Sequence, residues 1–237
     1  MNKDGDIIFV YGSFEPYYEH LFINSSITLI GENQETTIID GSFFKSIIQI
    51  KSDFVTIRGF TIQHSGCDFF HKWDAGIVCK NAESCEITDN TIENNYIGIY
   101  SNSHAIENII KNSYIGFKGH DCIRNIIENN NIGIFEFSMY NEIKNNNLLD
   151  NDLHATFEDW SPIYWPRFMF YPYTKWIHNY YEGHIFGPKI IKGTMIIFEI
   201  IFELQFEIPW IHIDWRSAKV PNDLDFLEGE IKSKTKS

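Results

Sequence analysis

The sequence predicts an all-β protein: a right-handed single-stranded parallel β-helix with an irregular, aromatic-rich cap at its C-terminal end. The main evidence is one phrase, Asn-x-Ile-x-Asn-x-x-Ile-Gly, which occurs at residues 90–98, 108–116 and 125–133. Self-similarity at intervals of roughly 20 residues is typical of a solenoid, whose successive rungs bury one another's apolar faces. Short runs of β-forming residues also follow one another too closely for crossover helices, which excludes a βαβ fold.

The N-terminal part contains the first of these strands, each closed by glycine or by polar turn residues. They are predicted at Ile7–Tyr11, Tyr17–Ile23, Ser26–Ile30, Thr36–Asp40, Ser46–Ile50, Phe54–Ile57 and Phe60–Ile62. An antiparallel sandwich and a parallel coil both fit such strands. The repeat decides between them, because only a coil requires a recurring rung length. The aligned glycines Gly76, Gly98, Gly116 and Gly133 are 22, 18 and 17 residues apart.

The polar positions of the repeat predict two asparagine ladders. One consists of Asn90, Asn108 and Asn125, and the other consists of Asn94, Asn112 and Asn129. Stacked asparagine amides hydrogen-bond from rung to rung, and asparagine also tolerates a left-handed corner conformation. The glycine before each inward isoleucine is expected to allow a tight corner.

Composition divides the chain into three parts. Residues 4–158 carry the β-helix pattern, residues 159–225 form an aromatic and proline-rich cap, and residues 226–237 form a polar tail. Large aromatic side chains suit a lid over the last rung, which would otherwise expose apolar surface. The segment 202–208 alternates as a half-exposed strand does, although the spacing of its glutamates also allows a helix.

Charge and composition restrict the function. The 237 residues carry a net charge of −13, which argues against binding to nucleic acid or to an anionic membrane surface. No segment is apolar over the roughly 18 residues that a membrane helix needs. Four cysteines without a C-x-x-C pair indicate neither a zinc ribbon nor a disulfide scaffold. No signal peptide is visible in the first residues.

Several segments resemble right-handed parallel β-helix proteins. They are Asp4–Tyr11, Ser26–Glu32, Thr37–Gly41, Val55–Gln63 and the three asparagine-rich repeats. The type that they resemble is the NosD-like periplasmic copper-binding family with its archaeal surface-protein relatives. This family belongs to a wider group of carbohydrate-binding proteins and sugar hydrolases, the CASH group, with a pectin lyase-like fold.

The resemblance implies a protein of the periplasm or the cell surface that binds carbohydrate or another surface protein. It predicts no cofactor beyond copper or another divalent metal. The chain starts almost directly at its first strand, so a cytoplasmic protein and a fragment both stay open. The uncapped first rung is expected to stack on a rung of another molecule.

An insertion at residues 63–74 interrupts the rungs and contains a candidate metal site. Its ligands would be the side chains of His64, Cys67 and His71. This mixed nitrogen and sulfur set suits copper or zinc, although the spacing matches no established motif. A plain surface loop is the alternative interpretation.

Candidate sugar-binding residues lie in the same insertion and further along the chain. They are Asp68, His71, Trp73, Asp74, His120 and Asp121. Trp73 would stack on a sugar ring, and Asp68 or Asp74 would act as acid or base. The run Gly119-His-Asp121 only faintly resembles sugar-hydrolase signatures. The Asp-Asp and Arg-Ile-Lys elements of pectin-cleaving relatives are absent from the sequence, so no catalytic residue is assigned.

Three functions follow from these residues. The leading hypothesis is a non-enzymatic, extracytoplasmic binding protein that presents a ladder face to carbohydrate. The second is a carbohydrate-active enzyme: a lyase, hydrolase or epimerase. The third, implied by the resemblance, is a copper-handling accessory protein.

Overall fold

Parallel strands wind into a coil in the computed structural model, which describes residues 4–67, 73–137, 141–162, 174–185, 187–199 and 204–224. Each full rung contributes one strand to each of three sheets, and consecutive rungs pair in parallel. The predicted all-β parallel β-helix is thereby confirmed. Within the described ranges, no helix is long and apolar enough to cross a membrane.

The strands are numbered in chain order. Sheet A contains β1 (Ile7–Val10), β3 (Thr28–Gly31), β6 (Thr56–Arg58), β9 (Glu86–Thr88), β12 (His104–Ile106), β15 (Cys122–Ile123), β18 (Glu142–Lys144) and β21 (Lys175–Ile177). Sheet B contains β4 (Ile38–Asp40), β7 (Thr61–Gln63), β10 (Thr91–Glu93), β13 (Ile109–Lys111), β16 (Ile126–Glu128), β19 (Asn147–Leu149) and β22 (Tyr180–Tyr181). Sheet C contains β2 (Leu21–Ile23), β5 (Ile48–Ile50), β8 (Ala75–Cys79), β11 (Ile97–Ser101), β14 (Ile115–Gly119), β17 (Ile132–Glu136), β20 (Leu153–Pro162), β23 (Lys189–Glu199) and β24 (Leu204–Asp214).

Columns of apolar side chains fill the inside of the coil. In sheet C the column consists of Ile77, Ile99, Phe117 and Ile134, which lie in register and are fully buried. In sheet B it consists of Ile62, Ile92, Ile110 and Ile127. Branched side chains pack well at the strand spacing of about 4.8 Å. The repeated phrase therefore produces one continuous core.

A ladder of buried asparagines connects the rungs between sheets A and B. Asn90 donates from its backbone N–H and from its side-chain amide to Oδ1 of Asn108, each at 3.1 Å. The same pair of bonds links Asn108 to Asn125, Asn125 to Asn146, and Asn146 to Asn179. All five side chains are fully buried. The predicted ladder is confirmed, and it extends two rungs beyond the repeat.

The second predicted ladder is wrong by one residue. Asn94, Asn112 and Asn129 are exposed corner residues with φ between 53° and 55°. The ladder is formed one position later, by Asn95, Ser113, Asn130 and Asn151. A residue in the left-handed conformation turns the chain at the corner, and the exposed asparagine adopts this conformation. The residue after it then points inward and contributes the buried side chain that forms the ladder.

The glycines of the repeat have a different role from the one predicted. Gly98 and Gly116 lie inside strands β11 and β14, not at corners. A Cβ atom on Gly116 would lie 2.8 Å from the carbonyl oxygen of Gly133 and 3.0 Å from the side-chain amide of Asn130. Glycine is therefore required by the close approach of the next rung, and not by a turn.

The coil continues past residue 158, the predicted boundary of the β-helix. That boundary falls within β20, and β21 and β22 pair in parallel with the rung before them. Strands β23 and β24 form an antiparallel hairpin at the end of sheet C, so the segment from residue 204 is a strand and not a helix. The predicted polar tail at 226–237 lies outside the described residues.

Strand β24 closes the end of the coil with its alternate side chains. The His212 ring stacks on Phe157, with centroids 3.7 Å apart, and its Nδ1 accepts a hydrogen bond from the Trp176 indole. Asp214 is fully buried beside Tyr181. These residues cover the last rung, as a solenoid end requires.

Candidate functional site

The outer face of sheet C carries a cluster of aromatic side chains. We call it the aromatic face, and it consists of Trp73, Tyr96, Tyr100, Tyr114, Phe135 and Phe137. Tyr100 and Phe135 lie on it because residues alternate between the two faces of a strand, and the other four rings lie just before or just after strands of sheet C. Their inward residues form the core column, and their outward residues Tyr100, Lys118 and Phe135 lie in register on neighbouring rungs.

Two of the predicted sugar-binding residues meet on the aromatic face. The ring centroids of Trp73 and Tyr100 are 5.8 Å apart, and those of Tyr100 and Phe137 are 5.6 Å apart. Phe137 lies 6.0 Å from the ring of His120. Trp73 keeps 47% of its surface exposed. The coil thus brings the end of the insertion and the corner after β14 to one surface.

Tyr96 and Tyr114 form a stacked pair beside this cluster. Their rings are nearly parallel, at 5°, with centroids 5.3 Å apart. The stack follows from the repeat, because each tyrosine precedes the Ile-Gly pair of its own rung and the rungs lie one strand spacing apart. Tyr114 is 47% exposed. Burial, with the neighbouring Tyr114 contributing, raises the pKa of the Tyr96 hydroxyl.

Lys118 lies in the middle of the aromatic face. Its Nζ is 3.9 Å from the ring centroid of Trp73 and 4.0 Å from that of Phe135, so the ammonium contacts two aromatic rings closely. The side chain is only 4% exposed. Burial lowers its pKa to about 8, although the charge of Glu158 acts in the opposite direction.

The two described carboxylates among the predicted sites make structural contacts. Asp121 pairs with His104 at 3.0 Å and accepts a hydrogen bond from the backbone N–H of Glu142, both in sheet A. Asp74 is buried and accepts a hydrogen bond from the Ser46 hydroxyl at 3.4 Å. Burial lowers the pKa of His120, and the charge of Asp121 opposes that shift.

The structure places only part of the predicted metal site. Nδ1 of His64 lies 2.8 Å from Oδ2 of Asp40, and its ring stacks on Phe43. Cys67 is exposed. His71 and Asp68 lie outside the described residues. The described part of the chain contains no group of three His, Cys, Asp or Glu side chains that could hold a metal ion. The ligand set stays a prediction.

Sequence reasoning missed Lys118 and both stacked tyrosines. The signal was available in the repeat: once the Ile-Gly elements are aligned, Tyr96 with Tyr114, and Tyr100 with Lys118 and Phe135, occupy equivalent outward positions. Following the outward columns of a solenoid, and not only its inward isoleucines, would have found them.

Three parallel sheets around one core, with an aromatic outer surface on sheet C, define a parallel β-helix protein. Within that class, the chain belongs to the family described as protein of unknown function DUF1565, whose model matches residues 12–156. No curated protein matches the sequence.

Solved structures with this fold include carbohydrate-active enzymes. The pectin methylesterase from Yersinia enterocolitica aligns over 86% of this chain and 80% of its own, with 14% identity and a TM-score of 0.50. The pectin methylesterase PemA from Erwinia chrysanthemi aligns over 87% and 77%, with 11% identity and a TM-score of 0.41. A mutant of the PL6 alginate lyase AlyGC aligns over 83% of this chain but 35% of its own, with 12% identity and a TM-score of 0.49. The likeness to the Yersinia enterocolitica enzyme, at 14% identity, shows the fold alone.

Proposed function

We propose that the protein is a non-enzymatic carbohydrate-binding protein that holds a sugar chain against the aromatic face. The observation that carries the proposal is the pair of half-exposed rings, Trp73 and Tyr114, each of which packs against another ring of the aromatic face. Aromatic rings stack on the apolar faces of sugar rings, and tyrosine and tryptophan add a polar group at the ring edge.

The scaffold beneath these rings favours binding. Tyr96 directly follows Asn95, and Tyr114 directly follows Ser113, so both rings are attached to the Asn95–Ser113–Asn130 ladder, which fixes the rungs relative to one another. A surface that is rigid before it meets its ligand loses little conformational entropy on binding. The carbohydrate class is further supported by the fold shared with a pectin methylesterase.

A binding role is preferred to catalysis because of the contacts of the carboxylates. Glycoside hydrolysis usually needs two carboxyl groups that flank the scissile bond. Asp74 and Asp121, the described candidates for that role, are held by Ser46 and by His104. By resemblance, we place the protein outside the cytoplasm, with carbohydrate or another surface protein as its partner.

A binding assay with single variants tests this proposal. Neutral and acidic polysaccharides would be titrated into the wild type, into Trp73→Ala and into Tyr114→Ala, with Tyr18→Ala as the matched control. Tyr18 is an exposed tyrosine before β2 on the first rung, and it is not one of the rings of the aromatic face. Loss of one stacking ring is expected to weaken binding about tenfold. Equal affinity in Trp73→Ala, Tyr114→Ala and the wild type would contradict the proposal.

Assays for reducing ends and for unsaturated products on the same polysaccharides address catalysis. We expect no turnover. Activity in the wild type that is abolished in Asp121→Asn or in Asp68→Asn would replace the binding proposal with the enzyme hypothesis.

A further inference from the structure

Trp215 lies between two clefts at the closed end of the coil, far along the chain from the aromatic face. It follows β24 directly and is 73% exposed. One cleft, of about 390 Å³, is lined by His184, Pro188, Arg216 and Lys219, among others. The other, of about 410 Å³, is lined by Lys175, Trp176 and Ile213, among others. Trp215 and Arg216 line both.

The segment that carries Trp215 is anchored on both sides. The preceding Asp214 is fully buried, and its Oδ1 accepts a hydrogen bond from the backbone N–H of Arg216 at 3.1 Å. The hydroxyl of Ser217 donates to the carbonyl of Gly187 at 3.1 Å, and the N–H of Ala218 donates to the carbonyl of Asn179 at 2.9 Å. The exposed indole therefore projects from a fixed backbone, which favours ligand binding.

The charge around Trp215 is opposite to that of the whole chain. The protein has a net charge of −13. Yet the charged residues that line the two clefts, within the described ranges, are Lys175, Arg216 and Lys219, with no aspartate or glutamate. The Arg216 guanidinium is exposed and makes no ion pair with any described residue. A guanidinium without an ion-pair partner among the described residues, beside an exposed indole, suits a ligand that is both ring-shaped and anionic.

We propose that Trp215 and Arg216 form a second binding site, separate from the aromatic face, for an acidic saccharide. The indole would stack on the sugar ring, and the guanidinium would bind its carboxylate or sulfate through two parallel hydrogen bonds. Lys219, which lines one cleft, would attract the acidic group of a neighbouring sugar unit, whereas Lys175 in the other cleft already lies 3.6 Å from Oε1 of Glu142. A neutral sugar would make no ion pair with the Arg216 guanidinium, and a small anion without a ring would not stack on the Trp215 indole.

Isothermal titration with three probes tests this site. The probes are a trisaccharide of uronic acid units, the same trisaccharide with its carboxyl groups reduced to alcohols, and acetate. The wild type would be compared with Trp215→Ala and Arg216→Gln. The matched control is Trp210→Ala, which removes a partly exposed tryptophan of the preceding strand β24 that lines neither cleft. Thermal unfolding of each variant checks its fold, and the exposed Arg216 side chain is expected to be dispensable for folding.

The expected result is selective binding of the acidic trisaccharide, weakened about tenfold or more in Trp215→Ala and in Arg216→Gln and unchanged in Trp210→Ala. Three results would overturn the proposal: no binding of the acidic trisaccharide by the wild type, binding of the reduced trisaccharide or of acetate that is as strong and is equally weakened in Trp215→Ala, or full affinity in both site variants. The two proposals fail separately, because Trp73→Ala should not affect this site. If Trp73→Ala alone abolished binding of the acidic trisaccharide, the second site would be refuted and the aromatic face supported.

Discussion

Asp214 accepts two hydrogen bonds from Asn179, one from its backbone N–H at 3.0 Å and one from its side-chain amide at 3.1 Å, both on Oδ2. Each of the other four asparagines of the ladder donates the same two bonds to the asparagine of the next rung. Asn179, the last asparagine, needs a partner that accepts both hydrogen bonds. Because no further rung follows in the described part of the chain, this partner does not have to donate hydrogen bonds itself, and a carboxylate meets this requirement. Asp214 is therefore the terminus of the ladder as well as part of the cap.

Removal of this terminus should destabilise the whole coil. Asp214→Ala would leave the N–H and the amide of the buried Asn179 without their acceptor, so we expect a loss of about 1–3 kcal/mol in the free energy of unfolding. Asp214→Asn should cost less, because its amide oxygen still accepts. Urea unfolding of both variants measures the difference, with the exposed Asp223→Ala as a control. A fully stable Asp214→Ala would refute the role as ladder terminus.

Substitution of Asn108 should reduce the stability of the protein, whereas substitution of Asn112 should leave it nearly unchanged. Asn108→Ala removes a buried link that accepts from Asn90 and donates to Asn125, so a loss of about 1–3 kcal/mol is expected. Asn112→Gly should be close to neutral, because Asn112 is exposed and has a φ of 53°, which glycine adopts freely. Denaturant unfolding separates the two effects. Equal losses would contradict the assignment of one to the ladder and the other to the corner.

Substitution of a stacked glycine should also be costly. A Cβ on Gly116 would lie 2.8 Å from a backbone oxygen of the next rung, so Gly116→Ala should destabilise by about 1–3 kcal/mol through overpacking. Gly183→Ala is the comparison: its φ is 75° but nothing lies within 4 Å of a new Cβ, so only the backbone cost of about 1 kcal/mol applies. The melting temperature of Gly116→Ala should be lower than that of Gly183→Ala. The reverse order would argue against a close approach of neighbouring rungs at Gly116.

Lys118 should make stability depend on pH above neutrality. Burial lowers its pKa from 10.5 to about 8 in the folded protein, with Glu158 opposing this shift and Lys80 adding to it. Between these two values the unfolded chain binds more protons than the folded one, so the free energy of unfolding should rise as the pH goes from about 8 to 10.5. Below pH 8 both states are protonated and the burial cost is present in full.

The variant Lys118→Met isolates this effect. It should be more stable than the wild type at pH 7, and the difference should shrink by pH 10. Urea unfolding at both values measures it. A difference that does not change with pH would mean that the ammonium is not desolvated by the aromatic face.

Titration of copper or zinc into the protein tests the metal hypothesis directly. The His64 ring is engaged with the Asp40 carboxylate, and the pKa of that carboxyl is lowered by hydrogen bonds from Ser42, Gln63 and His64, which outweigh the opposing effect of burial. We therefore expect weak copper or zinc binding that is the same in the wild type and in His71→Ala. Tight binding that is lost in His71→Ala would establish the site predicted from His64, Cys67 and His71.

The repeat made the fold predictable, since each copy carries its inward isoleucine, its buried asparagine and its corner at fixed offsets. The second ladder was misplaced because the repeat does not show which of two adjacent asparagines adopts the left-handed conformation. The last rung was missed because Trp176 and Tyr181 replace the isoleucines there, so its core positions no longer match the pattern. Trp73 was predicted as a ring that stacks on sugar, whereas Lys118 was not singled out, because only the pairing of the strands brings it next to Trp73 and Phe135.

The pairing of each ladder residue with an identical partner has one more consequence. A rung such as 108–124 meets the rungs before and after it through the same asparagine bonds and the same apolar column, while Asp214 and His212, which close the coil among the described residues, lie on its last strand. The number of rungs in the coil is thus independent of the residues that close its end. Whole rungs are interchangeable units, and the span of any surface that follows the axis is set by how many of them the chain contains.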